Sequence, residues 1–162
     1  EMTSSLVGSE MCIRDSDSTV LYGLEAGKYR LALKTPKDQI INVEYTRDKS
    51  KKKAAYKKSK AIHLKSDIDS IYTSTEKAAR WYKVSVSSTK KRKAVTLSKD
   101  SVGGGFKFCV YQKGKRLKTV KVTKNDKVKT VKLPKKKGAY YVKVTKLTSK
   151  TTGAYYLGTY TY

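Results

Sequence analysis

Short stretches in which apolar and polar residues alternate run through most of the chain, and this period of two is typical of half-buried β-strands. In the most regular stretch, at positions 80–87, Tyr82, Val84 and Val86 share one strand face. The first run, 28–34, is followed by a second at 40–46. Further strands are predicted at 61–65, 68–74, 80–87, 93–98, 106–112, 116–123, 127–133, 139–146 and 154–162.

Turn residues separate these runs, and no long segment shows a helical period. The pattern therefore predicts an all-β domain, an antiparallel β-sandwich (jelly-roll or immunoglobulin-like) of eight or nine short strands. Asn125-Asp126 predicts a tight turn that joins strands 116–123 and 127–133 into a hairpin.

One strand pattern occurs twice, about 111 residues apart. Residues 26–46 (AGKYRLAL…INVEYT) resemble residues 137–162 (KGAYYVKV…GAYYLGTYTY). Such an interval indicates tandem copies of one module. We therefore expect 61–162 to be a complete module, and 17–46 to be a remnant of a preceding copy, its closing β-hairpin.

Two other segments are set apart from these modules. Residues 6–16, LVGSEMCIRDS, resemble a translated sequencing adapter, so 1–16 is interpreted as a non-native leader and Cys12 carries no functional meaning. Residues 47–60 hold eight basic residues and one acid without a hydrophobic period, which predicts a solvated linker between modules.

The formal net charge of +25 predicts attraction to polyanions. Lysine far outnumbers arginine, which disfavours base-specific recognition of nucleic acid, because arginine supplies the bidentate fork. Teichoic acid and anionic glycans fit a diffuse lysine charge better. The candidate polyanion-binding residues are Lys51, Lys52, Lys53, Lys57, Lys58, Lys60, Lys135, Lys136 and Lys137.

The residue types that catalysis requires are scarce. Without Cys12, Cys109 is the one cysteine; it is predicted to be a half-buried strand residue, and the single histidine, His63, lies in another strand. No paired carboxylates, nucleotide motif or ligand-spaced metal cluster is present, and no apolar run is long enough to span a membrane. The sequence therefore predicts no enzyme activity, cofactor or metal site.

The order of motifs resembles the bacterial pre-peptidase C-terminal domain over about 52–162, and over 24–46 for the remnant. The matching motifs are the opening Ala61-Ile62-His63-Leu64, the strand Arg80-Trp81-Tyr82-Lys83-Val84, the strand Phe106-Lys107-Phe108-Cys109-Val110-Tyr111, and the closing Gly138-Ala139-Tyr140-Tyr141-Val142 with Gly153-Ala154-Tyr155-Tyr156-Leu157. Where this family often carries carboxylates, sometimes linked to calcium, this chain has Ala79, Arg80 and Trp81.

The resemblance implies a secreted, non-catalytic β-sandwich module that accompanies extracellular enzymes or surface proteins. One hypothesis is an accessory or structural module with affinity for the cell wall or a carbohydrate, in contact with neighbouring modules of its chain. Trp81 is the first candidate for stacking on a sugar, and Tyr141 and Tyr155 follow. The alternative hypothesis is an electrostatic polyanion binder, with nucleic acid the less favoured ligand.

Overall fold

Two β-sheets packed face to face form the main body of the protein. The computed structural model describes residues 3–6, 9–10, 28, 31–34, 54–65, 67–73, 76–123 and 125–162. The sandwich strands are β4 (Ile62–His63), β5 (Ile68–Tyr72), β6 (Arg80–Val86), β7 (Lys93–Gly103), β8 (Phe106–Gln112), β9 (Lys115–Val122), β10 (Val128–Lys132), β11 (Gly138–Lys146) and β12 (Thr152–Thr161). The predicted antiparallel sandwich is confirmed, and the runs of alternation correspond to its nine strands.

The sheets have four and five strands, ordered β10-β7-β12-β5 and β4-β6-β11-β8-β9. Their pairings are antiparallel except that the short β4 runs parallel to β6. One of the last two strands lies inside each sheet. β11 lies between β6 and β8, and β12 lies between β7 and β5.

The core lies between the two inner faces and is rich in aromatic residues. Alternation in β6 buries Tyr82, Val84 and Val86, as predicted from the sequence. The largest fully buried side chains of the core are Tyr72, Tyr82, Tyr140, Tyr155, Phe106 and Phe108. Because these large rings come from both sheets, the two layers are held together mainly by apolar burial.

Two predicted hairpins are wrong. β9 pairs with β8 in the five-stranded sheet, whereas β10 pairs with β7 in the other, so the turn at Asn125-Asp126 carries the chain between sheets. Likewise, β11 and β12 lie in different sheets, so the closing strand pair is not a hairpin. Turn chemistry predicts a chain reversal, but the burial of both strands against a common core decides which sheet each one joins.

A separate small sheet involves the N-terminal segment. Its strands are β1 (Thr3–Leu6), β2 (Ser9–Glu10) and β3 (Leu31–Lys34), in the order β2-β1-β3 with antiparallel pairing. The first predicted strand of the remnant copy thus pairs with residues assigned to the leader. Its second predicted strand, 40–46, lies outside the described residues.

Candidate functional site

The outer face of the five-stranded sheet brings together aromatic rings from three neighbouring strands. Trp81 in β6, Tyr141 in β11 and Tyr111 in β8 are half-buried and alternate with core residues. The register sets Tyr141 opposite Tyr111, and Lys143 opposite Trp81. The ring centroids of Trp81 and Tyr111 lie 5.6 Å apart with an interplanar angle of 44°. Two of the predicted stacking residues, Trp81 and Tyr141, therefore share one face with a third ring.

Two ammonium groups lie over these rings. The Lys143 Nζ atom is 5.6 Å from the centroid of Trp81, and the Lys58 Nζ atom is 4.7 Å from that of Tyr141. Both distances are within the range of cation–π attraction. We call Lys58, Trp81, Tyr111, Tyr141 and Lys143 the basic aromatic face.

The backbone beside β6 positions Lys58. The N–H of Trp81 donates a hydrogen bond of 2.8 Å to the carbonyl of Ala55, which is buried. A short 3-10 turn, Lys58–Lys60, then leads the chain into β4 at the sheet edge. Residues 54–60, assigned to the linker from the sequence, thus contact the sandwich in the structure.

Positive charge extends over the whole outer face. None of the five strands of this sheet, β4, β6, β8, β9 and β11, contains an aspartate or glutamate. The register adds further cations around the rings, namely Lys83, Lys107, Arg116 and Lys121. An anion that approaches this sheet therefore meets no repelling carboxylate from its strands.

Tyr111 is the aromatic residue of this face that sequence reasoning missed. Its outward direction follows from the alternation of β8, in which Phe106, Phe108 and Val110 are buried. Burial raises the pKa of the Tyr111 phenol, the adjacent Cys109 thiol raises it further, and a nearby guanidinium opposes both effects. The phenol therefore stays neutral on this face at physiological pH.

Tyr155 was assigned to sugar stacking from the sequence, and this assignment is wrong. Its side chain is fully buried, with its ring centroid 5.0 Å from that of Phe106 and 5.9 Å from that of Tyr72. The next residue, Tyr156, faces outward instead. The repeat in the sequence indicates which of the two tyrosines is buried. Gly-Ala-Tyr-Tyr also begins β11, where the first tyrosine, Tyr140, is buried and the second, Tyr141, faces outward.

The candidate lysines fall into three groups. Lys51, Lys52 and Lys53 lie outside the described residues. Lys57, Lys58 and Lys60 belong to the short 3-10 turn and its first flanking residue, and Lys58 is the one of the three whose ammonium group is seen over a ring of the basic aromatic face. The exposed Lys135, Lys136 and Lys137 form the connection into β11, at the end of the sheet. The hydroxyl of Tyr140 donates to the carbonyls of Pro134 and Lys136 and thereby holds this connection.

Cys109 and His63, the cysteine and the histidine of the described residues, lie far apart. Cys109 is buried with its Sγ atom 3.4 Å from the Thr119 hydroxyl, and the exposed His63 lies in β4, three strand positions away. At about 4.8 Å per strand this is a separation of about 14 Å, too far for proton transfer to a base.

The acidic residues do not form a metal centre in the part of the chain that the structure describes. No group of three potential ligands occurs among these residues. Glu76 instead receives two hydrogen bonds from the nearly buried Arg80 guanidinium, of 2.9 and 2.6 Å. The same guanidinium lies 4.2 Å from the ring centroid of Tyr72, so the carboxylate of Glu76 is engaged by an internal cation.

Of the comparisons with known proteins, the one with solved structures gives matches. No protein-family model matches the chain, and neither does any curated protein. Among solved structures, the chain is similar to the pre-peptidase C-terminal domain of a collagenase from Bacillus anthracis, with 18% identity and a TM-score of 0.45. The similarity covers 62% of this chain and 92% of that domain. In the described residues, no helix has the length and apolar character needed to cross a membrane.

Proposed function

We propose that the sandwich is a non-catalytic accessory module of an extracellular or cell-surface protein, and that it attaches this protein to a carbohydrate polymer of the cell wall. The basic aromatic face is the binding surface. The repeat between 26–46 and 137–162 supports a tandem arrangement, in which neighbouring modules of the same chain are further partners.

The combination of rings and ammonium groups carries this proposal. Aromatic rings such as those of Trp81 and Tyr141 can pack against the C–H face of a sugar. The lysine ammonium groups beside them can bind acidic or hydroxyl substituents of the polymer. Such a site suits a polymer of repeating sugar units, because the rings and lysines are spread over the sheet and can contact several units at once.

An electrostatic polyanion binder is the second candidate. The absence of carboxylates from all five strands of the sheet and the net charge of +25 favour it. In that case the rings serve mainly to position lysine side chains, and teichoic acid, an anionic glycan or nucleic acid would bind with a strong dependence on salt.

Binding to soluble wall teichoic acid, polygalacturonate and dextran, measured by calorimetry from low to high NaCl, tests the proposal. We expect Trp81→Ala to weaken binding to at least one glycan about fivefold to tenfold, because a ring contact contributes about 1–1.5 kcal/mol. Lys143→Ala should weaken the binding of the two anionic polymers. Lys150→Ala is the matched control, since Lys150 is an exposed lysine in the turn before β12.

Each result separates the two candidates. Binding that is lost in high salt and is insensitive to Trp81→Ala supports the electrostatic binder and contradicts the stacking site. If none of the three polymers binds the wild-type protein at low salt, both candidates are refuted.

A further inference from the structure

The outer face of the four-stranded sheet has a different chemistry from the basic aromatic face. Tyr156, Gly158 and Tyr160 project outward from β12, because Tyr155 and Leu157 are directed into the core. The two outward tyrosines are 39% and 47% exposed. At about 3.4 Å per residue they stand about 14 Å apart along the strand, with the glycine midway between them.

A carboxylate occupies the space above this glycine. Leu157 is the register partner of Ile68, so Asp67 lies opposite Gly158 on the outer face. A Cβ atom on Gly158 would be 2.1 Å from the Oδ1 atom of Asp67, which shows that the carboxylate leans over the bare backbone of β12. Glycine therefore lets an exposed acid reach the middle of the sheet.

Hydroxyl groups continue the same row across the sheet. Thr96 in β7 is the register partner of Gly158, and Thr130 in β10 is the partner of Thr96. Their Oγ1 atoms share a hydrogen bond of 3.0 Å near the surface. The row from Asp67 to Thr130 thus presents carboxylate and hydroxyl oxygens between Tyr156 on one side and Tyr160 on the other.

One side of this row is reinforced by a second ring. The ring centroids of Tyr160 and Tyr162 lie 5.8 Å apart, and the Nζ atom of Lys132 is 5.4 Å from the centroid of Tyr162. Backbone hydrogen bonds of 2.9 Å in both directions between Tyr162 and Arg92 fix the end of the strand. Tyr160 therefore stands against an ordered neighbour.

We propose that this outer face is a second binding site, specific for neutral sugars with vicinal hydroxyl groups. The two oxygens of Asp67 accept hydrogen bonds from adjacent hydroxyls of the sugar, and the Thr96 and Thr130 hydroxyls contact further substituents. Tyr156 and Tyr160 pack against the C–H faces of neighbouring units. The site goes beyond the proposed function, which concerns the opposite sheet.

The charge and polarity of the row from Asp67 to Thr130 favour a neutral sugar. The Asp67 carboxylate disfavours an acidic group placed directly over Gly158, whereas the strands of the basic aromatic face carry no carboxylate. An apolar partner protein that covered this face would remove water from the row of oxygens without supplying hydrogen-bond donors, which is unfavourable. A polyhydroxylated neutral ligand satisfies both the rings and the oxygens.

Affinity electrophoresis in native gels that contain mannan, a soluble β-glucan or dextran tests this site. We expect at least one of these neutral polymers to retard the wild-type protein. Asp67→Ala should raise the dissociation constant about tenfold or more, because a hydrogen bond to a charged group contributes about 1.5–3 kcal/mol. Tyr160→Ala, which removes one stacking ring, should raise it about fivefold. Asp67→Asn, which keeps the shape but loses the charge, should give a smaller loss than Asp67→Ala.

Lys150→Ala is the matched control, because Lys150 is exposed in the turn before β12, outside the row of oxygens, and should leave retardation by the neutral polymers unchanged. NMR shifts on addition of the retarding polymer should concentrate at the amides of residues 67, 96 and 156–160. The second site is refuted if no neutral polymer retards the protein, or if Asp67→Ala and Tyr160→Ala leave retardation intact. Neither result affects binding of anionic polymers at Trp81, so the two proposals fail separately.

Discussion

Buried tyrosine hydroxyls connect the two sheets at the level of single residues. The Tyr82 hydroxyl shares hydrogen bonds with the Tyr155 hydroxyl and with Ser70 Oγ, the latter of 2.9 Å. The Tyr72 hydroxyl lies 3.0 Å from the carbonyls of Ala78 and Val144. Burial raises the pKa of Tyr155 and Tyr72 well above 10, although the nearby Arg80 guanidinium opposes the rise.

These shifts predict a loss of stability in alkali. A tyrosine in the unfolded chain ionises near pH 10, while the folded phenol stays protonated, so the stabilisation is complete below about pH 10 and is lost as pH rises above it. For each shifted tyrosine the unfolding free energy should fall by about 1.4 kcal/mol per pH unit in that range. Urea denaturation between pH 8 and about pH 11.5 measures the slope.

Tyr155→Phe is the informative variant. It should cost about 1 kcal/mol at pH 7 through the lost hydrogen bond to Tyr82, and it should show a shallower fall in alkali, because one shifted phenol is gone. The comparison also cancels the effect of lysine deprotonation, which both proteins share. Equal slopes for the variant and the wild type would contradict the proposed role of the Tyr155 phenol.

The direction of side chains in the strands, inward or outward, could be predicted from the sequence only in part. Alternation correctly placed Tyr82, Val84 and Val86 in the core, because Lys83 and Ser85 between them mark the opposite face of β6 as polar. In Tyr155-Tyr156 both residues are suited to either face, so the local pattern is ambiguous and packing decides. The equivalent Gly-Ala-Tyr-Tyr in β11 resolves the ambiguity, since the second tyrosine faces outward in both strands.

At the level of elements, the connections determine which strands become neighbours. The β9–β10 turn has the expected local chemistry: Asp126 accepts hydrogen bonds from the backbone N–H and the hydroxyl of Thr123, of 2.9 and 2.7 Å. The residues that lead away from the turn nevertheless enter opposite sheets. Strand positions could therefore be predicted from alternation, whereas pairing could not, because it depends on contacts between distant parts of the chain.

The β7–β8 connection leaves no room for a side chain. A Cβ atom on Gly105 would lie 2.1 Å from the backbone carbonyl oxygen of Val122, which a strand holds in place. We expect Gly105→Ala to lower the unfolding free energy by about 2–3 kcal/mol or more, because backbone rather than a flexible side chain must move. Urea denaturation at neutral pH measures the change.

Gly114 provides the matched control in the β8–β9 hairpin. It has a φ of +80°, but a Cβ atom there would meet nothing within 4 Å. Gly114→Ala should therefore cost only the conformational strain of about 1 kcal/mol. A loss at Gly105 no larger than that at Gly114 would show that the connection relaxes around the added methyl group.

On the scale of the whole molecule, positive charge is distributed unevenly between two outer faces. The five-stranded sheet has no acidic residue in its strands, while Asp67 stands on the face of the other sheet. Composition alone predicted attraction to anions, and alternation found Trp81 and Tyr141. The contribution of Tyr111 and the row at Gly158 required the register, because each site combines residues that are close only across paired strands.

Mutual repulsion of the lysines predicts that salt stabilises the fold. With a net charge of +25, added NaCl should raise the melting temperature at pH 7 by screening like charges in the compact state. A gain of 1 kcal/mol corresponds to roughly 2–4 °C for a chain of this size. Calorimetry from low to high NaCl measures the trend. A constant or falling melting temperature would indicate that ion pairs outweigh the repulsion.

The positions of β11 and β12 determine the order in which the sandwich can form. These last two strands occupy inner places in the two sheets, so β6 and β8, and likewise β5 and β7, have no strand between them until the C-terminal residues arrive. Among the described sandwich strands, only β8 and β9 are joined as a local hairpin. Contacts between distant segments slow folding, so during synthesis this module must complete its fold after its final strand has left the ribosome.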